Sequence, residues 1–270
     1  MLRIFHPTDF SMSSDHAFAH ALRLAVADDS ELTLLHVELP SVDFDWDDFP
    51  STRRMLERWD FLDPTSSSED IAELGIAIEC VEAVSRDTPG AALHYLRDHP
   101  ADLMVLSTEG RKGLSRLVRR STAESLSRAA RMMTLFVPQR GRGFVDLQTG
   151  NVRLDKILLP VTADPDPAPA LRAARSLAHG LGVTDAHVAG CWVGAPAGCP
   201  LLHGEDIQIS IRQGQVSDAL VAMAKEIEAD LIVMTTHGHD SFGDVLRGST
   251  TERVIREAPC PVLAVPALLS

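Results

Sequence analysis

The chain has 270 residues, room for two domains of ordinary size or one large one, and its composition, 45% hydrophobic and 23% charged, excludes wholesale disorder. Acidic residues outnumber basic ones 38 to 25, and a net charge of −13 repels phosphate backbones at long range, which excludes a general nucleic-acid binder. A local phosphate site made of backbone amides needs no net positive charge and stays open.

The opening decapeptide MLRIFHPTDF has no basic head followed by a long apolar run, so no signal peptide is expected. Nowhere is there the stretch of about 18 apolar residues that a membrane-spanning helix needs. A soluble, cytoplasmic protein is the expectation. Residues 2–9, LRIFHPTD, form a short apolar run that ends in proline and a small polar residue. Ala17, Ala21, Leu24 and Ala25 follow at helical spacing, then a strand-like run, ELTLLHVE (31–38). Next comes an acidic insertion, about 42–70, with a helix-like piece around Arg53–Trp59. ADLMVLSTEG (101–110) reads as a nearly all-apolar strand entering a loop, and STAESLSRAARMMTLFVP (121–138) as a helix and a closing strand. QRGRGFVDLQTGNVRL (139–154), rich in glycine and polar residues, reads as a linker.

The series then recurs. DKILLPVT (155–162) matches the opening strand, and Leu171, Ala174 and Leu177 the helix after it. DAHVAGCWV (185–193), ADLIVMTTHG (229–238) and STTERVIREAPCPVLAVP (249–266) repeat the later pieces. Pro7 and Pro160 stand 153 apart but Gly110 and Gly238 only 128, so the first half carries about 25 extra residues, the insertion. Strand signals alternating with helical ones call for βαβ units and a parallel sheet covered on both faces. The reading is two α/β domains of five strands each, 1–140 and 155–270, joined by 141–154.

Ligands of such sheets sit beyond the carboxyl ends of the strands, at the topological switch point. In the second half the loop after the fourth strand, TTHGHDSFGDVLRGSTTERV (235–254), places nine residues between Gly238 and Gly248, with Ser249 next. Glycine lets amides approach a phosphate closely, and Ser249 opens a helix whose free amides favour an anion. The plain alternative is structural. Ser249–Glu252 and Ser121–Glu124 are capping boxes, which need no ligand.

This loop resembles the G-x2-G-x9-G-[ST] pattern of the universal stress protein family, and APCPVLAVP (258–266) and the openings HPTDFS and ILLPVT are also similar to it. The likeness covers nearly the whole chain, twice, apart from the insertion. It implies Rossmann-like or flavodoxin-like domains with strand order 3-2-1-4-5, a role in stress survival and, in some members, ATP binding with Mg2+. It also implies that the last strands of the two halves pair across a two-fold axis, an internal pseudo-dimer able to dimerise further. On this reading one continuous sheet would contradict the duplication.

Carried over residue by residue, the resemblance assigns phosphates to Gly238, Gly248, Ser249 and Thr250, and base or ribose contacts to Pro160, Val193 and Met234. Thr235 stands at the first glycine and Thr162 at the strand-one aspartate, with Asp164 two residues on. In the first half Asp9, Val37, Gly110 and Ser121 match, but Ser107 and Arg120 replace the first and third glycines, which makes that site degenerate. Asp9 also reads as a turn or helix cap, and Arg119 with Arg120 as a solvated basic turn.

The cysteines Cys80, Cys191, Cys199 and Cys260 form no C-x-x-C and read as reduced, mostly buried thiols. His237, His239 and Asp240 read as loop residues before a metal site. Trp46, Phe49, Trp59 and Phe61 in the insertion read as a flap turned inward, against a partner surface or lid. Three functions stay open. They are a stress protein holding adenine nucleotide with at most slow hydrolysis, an interaction module of the same fold without nucleotide, and an enzyme on an adenylated substrate.

Overall fold

A computed structural model describes residues 2–9, 12–27, 29–38, 51–65, 71, 73–108, 126, 130, 132–139, 141–200, 202, 207–237 and 250–267. The first half runs β1 (Arg3–Thr8), α1 (Met12–Ala27), β2 (Glu31–Glu38), α2 (Thr52–Arg58), β3 (Ala77–Val84), α3 (Thr88–Asp98), β4 (Leu103–Thr108) and β5 (Met133–Pro138). The second runs β6 (Lys156–Pro160), α4 (Ala168–Gly180), β7 (His187–Val193), β8 (Ile209–Arg212), α5 (Val216–Glu226), β9 (Leu231–Thr236), α6 (Thr250–Glu257) and β10 (Val262–Pro266).

The strands form one ten-stranded sheet in the order β3-β2-β1-β4-β5-β10-β9-β6-β7-β8. Each half is parallel, in the order 3-2-1-4-5. β5 and β10 are antiparallel, with Val262 opposite Phe136, Leu263 opposite Leu135 and Ala264 opposite Thr134. The view that a continuous sheet contradicts duplication is therefore corrected. Pairing the edge strands of two like units makes one sheet out of two.

Side chains of a strand alternate between faces, so each central strand feeds two cores. One face gathers Ile4, Leu103, Val105, Leu135, Leu231, Val233 and Leu263 under α1, α2 and α4. The opposite face gathers Phe5, Met104, Phe136, Ile232 and Val262 under α3, α5 and α6. Both cores run across the β5–β10 seam. Alanines at 17, 19, 21 and 25, all buried, let α1 lie close on the strands.

The repeated Ala-Asp-Leu before the fourth strand ties that strand to the first. Asp102 accepts from the Arg3 amide (2.9 Å) and guanidinium, and Asp230 accepts from the amides of Asp155 and Lys156 (both 3.0 Å). Asp230 is buried, and its other oxygen lies 3.3 Å from Arg142 and 3.5 Å from Arg153, at ion-pair distance but without hydrogen-bond geometry.

Segment 141–154 is packed against the first half. The amides of Phe144 and Val145 donate to Nε2 of His20 on α1 (3.1 and 3.3 Å), and His20 Nδ1 sits 2.7 Å from the His16 carbonyl. That pattern places the ring proton on Nδ1. In the insertion, Ser51 caps α2, and Met55, Leu56 and Trp59 are buried. Trp59 donates to the Leu147 carbonyl (3.2 Å) and lies edge-on to Phe61, over which the Arg23 guanidinium sits. A side chain at Gly150, whose φ is +68°, would strike the Trp59 ring. Trp46 and Phe49 lie outside the described residues.

All four cysteines are free. Cys191 and Cys260 are buried, and burial pushes their thiols up to about 11 and about 12. Cys80, on the outer strand β3, is exposed and Cys199 half-exposed, which corrects the expectation of mostly buried thiols.

Candidate functional site

Strand order reverses between β1 and β4 in the first half and between β6 and β9 in the second. These two switch points are where an open α/β sheet offers a crevice. In the second half the register sets Pro160 level with Cys191 on β7 and, two steps past the Leu158–Ile232 pair, with Met234 on β9. Pro160 and Met234 are buried, Val193 half-buried two residues further along β7. Pro160, Thr162, Val193, Met234 and Thr235 thus share one rim.

Both replacement residues at this rim are committed within the chain. Thr162 donates its hydroxyl to the Pro165 carbonyl (2.6 Å). Thr235 accepts from the Ala170 amide (3.3 Å). The second bond has a clear cause. α4 begins after Pro167, which has no side-chain cap to offer. Its early amides need partners all the same. Asp166 takes that of Ala168 (2.9 Å), Pro169 has none, and Thr235 takes that of Ala170. The start of α4 is thereby satisfied internally and has no amide left for a phosphate. Of the residues that the resemblance assigns to phosphates, Thr250 stands at the start of α6, and Gly238, Gly248 and Ser249 lie outside the described residues. His237 is exposed, with Nε2 3.6 Å from Asp164, itself largely solvated.

The residues present fit an adenine nucleotide in part. The apolar strand ends suit a base and ribose. At 162, however, a hydroxyl that donates inward stands where a carboxylate would accept from ribose hydroxyls.

In the first half Asp9 is exposed and accepts from the Ser14 hydroxyl (2.8 Å), in line with its reading as a turn or cap residue. Val37 is half-buried on β2, beside His36, whose Nδ1 meets the Thr8 carbonyl and whose Nε2 meets Glu38 (both 2.9 Å). Gly110, Ser121, Arg119 and Arg120 lie outside the described residues. Ser107, the counterpart of Thr235, has a buried hydroxyl with no hydrogen-bond partner among the described residues. On the same face His6 is fully buried. Its Nδ1 donates to the Val105 carbonyl (2.9 Å), its Nε2 has no hydrogen-bond partner among the described residues, and burial lowers its pKa to about 4. Sequence reasoning missed both orphan atoms. A histidine inside the apolar run RIFHPT was the available signal. Among the described residues no group of three or more metal-capable side chains converges, and no helix is long and apolar enough to cross a membrane.

The comparisons with known proteins agree with this architecture. The family model described as the universal stress protein family matches residues 1–138 and 200–266. A universal stress protein of Thermus aquaticus is 45% identical over 53 residues, 20% of this chain and 39% of that one. One of Methanocaldococcus jannaschii is 42% identical over 62 residues, 23% of this chain and 36% of that one. The matches thus span well under half the length of these relatives. Among solved structures, a universal stress protein of Archaeoglobus fulgidus superposes with a TM-score of 0.64 at 17% identity, covering 98% of both chains. At that identity the likeness shows the fold alone. A double match over most of the chain, on two like units with the same strand order, is enough: the chain belongs to the universal stress protein family.

Proposed function

We propose that the protein is a cytoplasmic stress-response factor that holds adenine nucleotide, ATP with Mg2+, in its second domain, 155–270, while the first domain, 1–140, keeps only a degenerate site. Pro160, Val193 and Met234 wall the base and ribose. Amides of Gly238, Gly248, Ser249 and Thr250 receive the phosphates, whose charge Mg2+ offsets when bound. The observation that carries the reading is the bond from the Ala170 amide to Thr235. It draws the hydroxyl of the residue that replaces a glycine onto α4, so the departure is absorbed by the fold. Beyond the solvent-exposed His237, 3.6 Å from Asp164, the described part of the rim offers no general base, so any hydrolysis is slow.

The test is direct. The protein is purified, denatured, and the supernatant examined for nucleotide by absorbance and chromatography. Expected are released adenine nucleotide, or a raised Tm with millimolar ATP and Mg2+. An empty preparation with no shift rejects the reading. G248R, which copies Arg120 of the first half, is expected to abolish binding, and unchanged affinity would mean the phosphates lie elsewhere.

A second reading, an interaction module without nucleotide, is favoured by Thr162, whose hydroxyl is spent on Pro165 where a carboxylate would hold ribose. It predicts no nucleotide and no shift in the same experiment.

A further inference from the structure

The helices that flank the seam on one face leave a gap between them. α1 packs on β4 and β5, and α4 on β9 and β10. Between them lies an apolar hole of about 170 Å3, walled by Leu24 and Ala27 of α1, Leu177 of α4, and Leu103 and Leu263 of the sheet. Met133, Ala173 and Ser176 line this hole and also a cleft of about 800 Å3. The cleft sits at the rim where β4 and β5 begin and β10 ends, and its volume falls in the range of about 300–1,000 Å3 typical of small-molecule sites. Leu93, Leu96, Met132 and Val265 supply its apolar wall.

Two guanidiniums line the same cleft, Arg97 in the last turn of α3 and Arg172 in the first turns of α4. Among the described residues neither has an ion-pair partner. Arg3, Arg53, Arg142, Arg212 and Arg253 each have one. The carboxylate on the cleft wall, Asp102, is held by Arg3 at 2.8 Å. In a chain of net charge −13, the cleft that adjoins the hole is thus lined by two arginines with no ion-pair partner among the described residues, which favours an anion there.

We propose that this cleft is a binding site for a single-chain acyl carboxylate. The carboxylate meets Arg97 and Arg172, with the Ser176 hydroxyl as a further donor, and the hydrocarbon chain runs past Met133 into the hole between α1 and α4. A planar guanidinium pairs well with a carboxylate. A hole of about 170 Å3 with a mainly aliphatic wall, His179 being its one ring, suits a hydrocarbon chain. Flexible methionines at 132 and 133 adapt to its bends. The site is separate from the proposed nucleotide rim and does not rest on it.

Calorimetry on the full chain with decanoate tests this, within a series from hexanoate to dodecanoate and with decanol and decyltrimethylammonium as controls. Expected is saturable binding of decanoate, with Kd falling roughly fourfold per added methylene until the hole is full. R97A and R172A each raise the decanoate Kd about tenfold. A173W blocks the passage between cleft and hole. Because a tryptophan there risks misfolding, the two exposed arginines keep the test decisive, with Tm as the fold check. Lack of saturation at millimolar decanoate overturns the proposal. Equal binding of decanol does the same, as does an unchanged Kd in the double arginine variant. Decanoate binding is expected to survive in G248R, so this site and the nucleotide reading stand or fall separately.

Discussion

Replacing Asp230 by alanine would leave the amides of Asp155 and Lys156 without their buried acceptor and remove the carboxylate that faces Arg142 and Arg153. The expected cost is roughly 2–3 kcal/mol, read as a lower urea midpoint with unchanged m. Asp102→Ala, at the more exposed counterpart, is expected to cost under about 1 kcal/mol, although Arg3 holds that carboxyl below its usual range. Equal losses at the two sites would contradict the burial argument. His6 and His20 make the chain sensitive to acid. Burial lowers both from 6.5 to about 4. Between those values the unfolded chain takes protons that the native one refuses, so stability is full above about pH 6.5 and falls as the pH drops toward 4. The combined loss is on the order of a few kcal/mol. Urea midpoints from pH 7 to pH 4.5 read it, and H20Q is expected to flatten the slope.

At the scale of elements, Thr235 acts as a cap supplied from another strand. T235V keeps the shape and removes the acceptor, for an expected cost of about 1 kcal/mol in the urea midpoint. No change would mean that water replaces it. The apolar strands were the most legible part of the sequence, because burial on both faces leaves an uninterrupted run, as in β4 and β9. The third strand of each half was expected only by count. β3 and β8 stand at the outer edges, are only partly buried, and show just a weak alternation, such as Ile207, Ile209 and Ile211. At the site, the odd residues Thr162 and Thr235 were legible against the family pattern. Their partners were not, because a Pro165 carbonyl and an Ala170 amide are backbone groups with no signature in the sequence. The same holds for His20, which looks like one more residue on an alanine-rich helix until its ring meets the amides at 144 and 145.

For the molecule as a whole, the two cores cross the β5–β10 seam without a break, so the halves are expected to melt together. Calorimetry should show a single transition. Two resolved transitions would mean that the seam transmits little. T134P, at one end of the paired seam opposite Ala264, is expected to cost about 3 kcal/mol or more and to lower that one transition as a unit. The seam has a further consequence for how such a chain can change over time. Two copies of one gene product that meet edge to edge must display every substitution twice, once on each side of their symmetry axis. Fused into a single polypeptide, they are released from that bond. An acidic flap can grow on one side only, and a glycine can become arginine on one side while its sibling stays as it was. The molecule keeps the architecture of a symmetric pair while its two faces are free to take up different work.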